Sequence, residues 1–210
     1  VKKLRVGVLA SGRGSNLQSI IDHCESGAIP AMVAVAVSDR GDAFALERAR
    51  NHGIPAVHIH PQYYAGQEEY ESRIVLEMQE YGVDLICLAG YMLLVGKALL
   101  EAFPGRIMNI HPALLPSFKG LHAQGQAVEY GVRFSGCTVH FVDQGVDTGP
   151  IILQAVVPVY PEDLEDDLSA RILEQEHVIY PEAVRLYAEG RLRVDGRKVY
   201  ILQDGKRTMR

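Results

Sequence analysis

Tryptophan is absent from this sequence and cysteine is scarce, with three residues, Cys24, Cys87 and Cys137, far apart and without a CxxC pair. That spacing excludes a disulfide framework and a cysteine zinc site, and fits small buried thiols in a reducing compartment. Positive charge is not in excess either: 21 Lys and Arg against 26 Asp and Glu leave a net charge of -5. Proteins that track a phosphate backbone carry a basic face, so no nucleic-acid partner is expected. The longest near-apolar run, Leu85 to Val95, falls well short of the roughly 20 residues that span a bilayer. The opening Val-Lys-Lys-Leu-Arg has the charge of a signal n-region. The apolar stretch behind it, Val6 to Ala10, is too short for an h-region and is broken by Ser11-Gly12-Arg13-Gly14. The expectation is a cytoplasmic protein with no targeting segment, no repeat and no membrane partner. A chain of 210 residues, 48% apolar and 22% charged, is long enough for one large domain with a substantial core.

What is present alternates between short β-rich runs and helical spacing, the pattern of a parallel α/β sheet. Strands are expected at Leu4–Ala10, Ala31–Val37, Ala56–Ile59, Asp84–Ala89, Ile107–His111, Ser135–Val142 and Ile151–Val157. Helices are expected from Leu17, and at Asp42–Asn51, Gln67–Tyr81, Lys97–Phe103 and Ala123–Tyr130. In the third of these, Tyr70, Ile74, Val75 and Met78 form the apolar side. A long helical pattern covers Asp163 to Gly190, with Ala170, Ile172, Leu173, Val178 and Ile179 as its apolar side. Pro181 is expected to kink or split it. A hairpin about Asp195-Gly196 and a polar tail close the chain. The fold class expected is α/β: a single-domain, doubly wound, Rossmann-like sheet, mostly parallel, with antiparallel strands in the C-terminal half and helices on both faces. Residues 1–190 would form the catalytic domain, with halves at about 1–105 and 106–190, and 191–210 the hairpin and tail.

Two polar residues, Asn109 and His111, close the strand that begins at Ile107. Strand side chains alternate, so residues two apart share a face. An amide donor beside an imidazole is what attack on a carbonyl needs, although a hydrogen-bonded pair closing a strand has the same pattern. Strand one runs into Ser11-Gly12-Arg13-Gly14-Ser15-Asn16 and then a helix. This arrangement aims backbone N–H groups at an anion, though tight βα turns also use glycine. Leu17 stands where the dinucleotide fingerprint wants its third glycine, so a single phosphate fits better, while Asp39 after strand two keeps a dinucleotide reading open. Gly90 to Val95, at a strand's carboxyl end, either lines a pocket for a flat ring or folds back on the core. The Asp143 to Pro150 loop reads as a turn, with Asp147 a candidate partner for His111 that would raise its pKa. Thr138 and His140 share a strand face. His58 and His60 also share one, but no third ligand accompanies them, and a polar strand end is the plainer reading. Glu174-Gln175-Glu176-His177 reads as a solvated helix face.

Taken together, the motifs resemble the phosphoribosylglycinamide (glycinamide ribonucleotide) formyltransferases of purine synthesis. The marks are Ser-Gly-Arg-Gly-Ser-Asn-Leu-Gln, Leu-Ala-Gly-Tyr-Met at 88–92, Asn-Ile-His-Pro-Ala-Leu-Leu-Pro at 109–116, Gly-Cys-Thr-Val-His-Phe-Val at 136–142, Asp-Thr-Gly-Pro-Ile at 147–151 and Gln-Glu-His-Val-Ile-Tyr-Pro at 175–181. The resemblance implies formyl transfer from 10-formyltetrahydrofolate to the amine of phosphoribosyl glycinamide, with no metal, by a monomer or homodimer. It implies a catalytic trio of Asn109, His111 and Asp147, and a nucleotide phosphate held by Gly14, Ser15 and Asn16. A second contact to that substrate would come from Leu173, Glu174, Gln175 and Glu176, against the solvated-face reading. The folate cleft would take Met92, Leu93, Leu94, Val95 and Asn109 with Asp143, Gln144, Gly145, Val146 and Asp147. Two positions often basic in the family, Leu93 and Gln67 here, bear on how a folate glutamate tail is held. Formyltetrahydrofolate deformylases and methionyl-tRNA formyltransferases share Asn-x-His and the aspartate. The deformylase and a dinucleotide-binding oxidoreductase remain the alternatives.

Overall fold

A computed structural model describes residues 3–203, and the chain packs as two compact units, Val1–Asn109 and Ile110–Arg210. Of the polar tail expected after the hairpin, residues 204–210 lie outside the described residues. In the first unit, β1 (Leu4–Leu9), α1 (Ser15–Glu25), β2 (Ala31–Ser38), α2 (Phe44–Asn51), β3 (Ala56–His58), α3 (Gln67–Glu80), β4 (Leu85–Leu88) and α4 (Lys97–Ala102) lead to β5 (Ile107–His111). The last two residues of β5 open the second unit. The strands run in the order β3-β2-β1-β4-β5, every pair parallel. Their sequences explain this. Val6, Val8 and Leu9 of β1, Val33 to Val37 of β2 and all of β4 are buried, so neither face of these strands meets water and both must be covered by helices. Helix α1 buries Leu17, Ile20, Ile21 and Cys24, the stripe that a helical period produces. The strand order reverses at β1, which pairs with β2 on one side and β4 on the other. Ligands of open α/β sheets gather at the carboxyl ends beside such a reversal.

The second unit holds α5 (Ala123–Tyr130), the antiparallel pair β6 (Phe134–Phe141) and β7 (Ile151–Pro158), α6 (Glu165–Ala188) and the hairpin β8 (Leu192–Asp195) with β9 (Lys198–Ile201). The fold class is therefore the expected one: α/β, a mostly parallel sheet with antiparallel strands in the C-terminal half and flanking helices. No helix among the described residues is long and apolar enough to cross a membrane.

Three expectations need correction. Pro181 does not split the last helix, because α6 runs unbroken for 24 residues with Pro181 inside it. A proline there forfeits one backbone bond, costing about 3 kcal/mol. Burial of Ile179, Tyr180, Pro181, Ala183 and Val184 around it recovers that loss through packing. The expected buried face of α6 holds only in part: Ile172 and Ile179 are buried and Leu173 is half-buried. Ala170 and Val178 are exposed instead, while Leu168 and Glu176 are buried, so the solvated-face reading fails at Glu176. On α3, Tyr70, Ile74 and Met78 are buried as expected and Val75 is half-buried, but two acids, Glu71 and Glu77, are buried with them.

The β6–β7 pairing depends on a missing side chain. A Cβ at Gly136 would stand 1.9 Å from the Ala155 carbonyl oxygen and 2.9 Å from Leu114 Cδ2. The carbonyl cannot yield without breaking the ladder. Gly136→Ala is expected to cost about 1–3 kcal/mol of folding stability, read as a lower urea midpoint. An unchanged midpoint would mean that the two strands are free to separate.

Candidate active site

In the first unit, the loop after β1 is shaped by close approach. Gly14 adopts φ 69°, and a Cβ on it would lie 2.7 Å from Ala45 Cα on α2. The Gly12 carbonyl accepts from the Ala45 N–H at 3.0 Å, and the Arg13 carbonyl accepts from Arg48 Nε at 2.8 Å. Gly14 itself is the N-cap of α1, and no side chain caps the helix. Ser15 and Asn16 are the first two residues inside the helix. Asn16 is buried and Ser15 half-buried.

Ser11, 4% exposed, ties three strand ends together. Its hydroxyl donates to Asp39 Oδ1 at 2.6 Å and accepts from the Met92 N–H at 2.9 Å, while its own N–H donates to the Gly90 carbonyl at 3.0 Å. Asp39, the acid that kept a dinucleotide reading open, is thus engaged with Ser11. Beyond Gly90 the segment turns its side chains outward. Met92 and Leu94 are exposed, and Leu93 and Val95 half-buried. The Tyr91 hydroxyl lies 2.9 Å from that of Tyr70, and burial pushes the Tyr70 phenol up to about 12. His58 and His60 meet edge to face at 5.7 Å, and His60 Nδ1 accepts from the Gln62 N–H. Among the described residues, no group of three or more His, Cys, Asp or Glu could hold a metal.

Strand β5 carries Asn109, half-buried, and His111, buried, on one face. The second unit builds an acid around His111. Asp147 Oδ2 lies 3.4 Å from His111 Nδ1 and accepts from the Gly120 N–H at 2.8 Å, and Asp147 Oδ1 lies 3.7 Å from His140 Nε2. The other nitrogen of each ring meets a carbonyl: His111 Nε2 lies 2.7 Å from Phe118 O, and His140 Nδ1 lies 2.8 Å from Phe141 O. Asp147 and Phe118 both adopt positive φ, 51° and 49°. A cavity of about 340 Å³ is lined by Leu115, Pro116, Lys119, Asp147, Gly149, Ile151 and Arg197.

His140 was legible beforehand only as a residue sharing a strand face with Thr138. Both matter to the geometry. The Thr138 hydroxyl donates to Ala113 O at 2.7 Å and accepts from the Leu115 N–H at 3.1 Å, and Gln154 Nε2 donates to Leu115 O at 3.0 Å. The loop after His111 is therefore pinned by β6 and β7. Asp143 is occupied in the same way: its Oδ1 accepts from the Gly145 N–H at 3.1 Å and from the Thr148 hydroxyl at 2.6 Å. Gln144, Gly145 and Val146 are exposed at the turn. On α6, Glu176 is buried, Leu173 and Gln175 are half-buried, and Glu174 is exposed.

Burial lowers the His111 pKa below its ordinary value, and His140 adds to this. The Phe118 carbonyl and Asp147 pull it upward without prevailing. The expectation of a carboxylate-raised imidazole is corrected on that ground: the neighbour acts as expected, but desolvation is the larger effect. Burial pushes the Asp147 carboxyl up, yet His140, the Gly120 N–H and His111 together hold it below its ordinary value. Both groups therefore bind protons less tightly in the folded protein than in the unfolded chain. Stability should rise with pH below the ordinary 6.5 of histidine and again below the ordinary 3.8 of aspartate. His111→Asn is expected to flatten the upper of these two rises and leave the acid limb. Unfolding free energies taken from about pH 2.5 to 7.5 check both limbs, and an unflattened upper rise would remove His111 as its source.

The comparison with known proteins agrees with these motifs. The family model described as formyl transferase matches residues 4–184. The phosphoribosylglycinamide formyltransferase of Escherichia coli strain K12 is 42% identical over 204 residues, 97% of this chain and 95% of that protein. That of Haemophilus influenzae is 44% identical over 202 residues, 96% of this chain and 94% of that protein. The crystal structure of glycinamide ribonucleotide transformylase 1 from Symbiobacterium toebii has a TM-score of 0.95 at 57% identity, covering 96% of this chain and 95% of that one. The chain belongs to the formyl transferase family.

Proposed function

We infer that this chain is a phosphoribosylglycinamide formyltransferase. It moves the formyl group of 10-formyltetrahydrofolate to the amine of glycinamide ribonucleotide, in de novo purine synthesis. The observation that carries the reading is the His111–Asp147 pair at 3.4 Å, in a chain that matches formyltransferases along nearly their whole length.

The neutral substrate amine attacks the formyl carbon, forming a C–N bond. Asn109 donates a hydrogen bond to the oxyanion that develops on the formyl oxygen. As the bond from carbon to folate N10 breaks, the proton lost by the amine passes through His111 to N10. Asp147 stabilises the charged imidazole during that passage. The lowered pKa of His111 keeps the ring neutral beforehand, so that it can accept the proton. Gly14, Ser15 and Asn16 hold the ribonucleotide phosphate at the N-terminus of α1, and Leu173 to Glu176 contact the same substrate. Met92 to Val95 and Asp143 to Asp147 receive the folate.

Folate absorbance on mixing the protein with both substrates tests the reading. Product that forms only when the amine is present is the expected result, and product without it would make the chain a deformylase. Asn109→Ala should lose about 3–4 kcal/mol of transition-state stabilisation, two to three orders of magnitude in kcat, with ribonucleotide affinity nearly intact. Near-normal turnover would remove Asn109 from the chemistry. Asp147→Asn should lower kcat and move the His111 limb of the pH–rate profile to lower pH, because the imidazolium loses its counter-charge. An unmoved limb would break the proposed partnership.

A further inference from the structure

Helix α3 buries two acids that the proposed chemistry does not use. Glu77 pairs with Arg73 one turn earlier on the same helix, which accounts for it. Glu71, 1% exposed, faces backbone instead. Its Oε1 accepts from the Gly96 N–H at 2.5 Å and from Gln67 Nε2 at 3.0 Å, and its Oε2 accepts from the Leu99 N–H at 3.3 Å. Gly96 is the N-cap of α4 and has no side chain to satisfy that helix end. Glu71 supplies the missing acceptor from another helix, where a carboxyl group also meets the positive end of the peptide dipoles. Gln67 Nε2 makes a second bond, to Leu94 O at 3.0 Å. The fit leaves no room at Gly96, since a Cβ there would lie 2.8 Å from Gln67 Nε2 and 2.9 Å from Glu71 Oε1.

These bonds tie down one end of a short segment. Its other end is tied by the Met92 N–H on the Ser11 hydroxyl, itself bound to Asp39. Between the two anchors Met92 and Leu94 stand 60% and 66% exposed. Apolar side chains on a backbone fixed at both ends make a wall that is already in shape, and a ligand that meets such a wall spends less on ordering it.

We propose that Glu71, assisted by Gln67, is a positioning residue for the formyl donor. Its buried carboxyl group fixes the Leu94–Gly96 backbone so that Met92 to Val95 present a preformed apolar face to the folate ring system. The inference rests on the folate reading given above. Glu71→Gln turns one of the two acceptors into a donor facing backbone N–H groups. Gly96→Ala evicts the clamp sterically at φ -105°, a conformation that alanine adopts without strain.

The test measures KM for 10-formyltetrahydrofolate and for glycinamide ribonucleotide separately, with hydrogen exchange at the Gly96 and Leu99 amides. Both variants should raise the donor KM about tenfold and speed that exchange, while the ribonucleotide KM and kcat at saturation stay within about twofold. Should Glu71→Gln fail to fold, Gly96→Ala carries the same comparison. An unmoved donor KM, or an equal rise in both KM values, overturns the proposal. Turnover by the unaltered chain separates the two ideas. Its absence sinks the formyl-transfer reading, whereas turnover combined with an unmoved donor KM in the variants sinks only the role of Glu71.

Discussion

The polar interior of the second unit depends on where Asp147 is held. A residue at φ 51° is uncommon unless it is glycine, and aspartate is among the few others that visit that region at modest cost. Two residues on, a Cβ at Gly149 would lie 1.7 Å from the Phe141 carbonyl oxygen, so the loop is pressed against the end of β6. The Asp143 turn, closed by Gly145 and Thr148, fixes the approach from the other side. The backbone therefore carries the carboxyl group to His111, His140 and the Gly120 N–H. Without it, two buried imidazoles lose a neighbouring acceptor and a backbone donor loses its partner.

Both units meet one difficulty in the same way. Apolar strands end in loops whose backbone groups cannot all reach water, and a buried unpaired group is costly. In the first unit Ser11 and Glu71 supply the partners, and in the second Thr138 and Gln154 do. Each reaches across from another element of its own unit. The loops at the strand ends are consequently held by side chains far away in sequence, and this lets short, glycine-rich segments keep one shape.

The division between what the sequence revealed and what it concealed follows from range. Strands such as Leu85–Leu88 were legible because burial on both faces leaves an unbroken apolar run. Helix α1 was legible because its period is local. Pro181 misled because the rule against interior proline is local too, while the packing that overrides it comes from the rest of the second unit. Glu176 misled for a related reason, and Glu71 and Glu77 drew no notice: an acid among helical polar residues looks solvated until its partner or its burial is known. At the site, the alternation in β5 put Asn109 and His111 on one face, but nothing local tied either to an aspartate in a distant loop. Its loop made Asp147 a candidate partner and the motif resemblance placed it in the trio, but neither offered a hint that His140 takes the other carboxylate oxygen.

His111 stands between opposed demands. A neutral imidazole carries one N–H, yet this ring has an acceptor at each nitrogen: the Phe118 carbonyl at 2.7 Å and Asp147 Oδ2 at 3.4 Å. One of them must go without a donor while the ring is neutral, and the shorter contact places the single proton on Nε2. Burial nevertheless favours that neutral form, and the net pKa is lowered. A proton arriving during reaction changes the balance, since it gives Nδ1 a hydrogen to direct at a carboxylate already held ionised. Desolvation thus opposes the charge at rest, and the waiting acceptor rewards it when it forms. An interaction realised only as charge develops lowers a barrier without tightening the ground state. In the proposed transfer, that is the property required of the group that carries the amine's proton to the departing folate nitrogen.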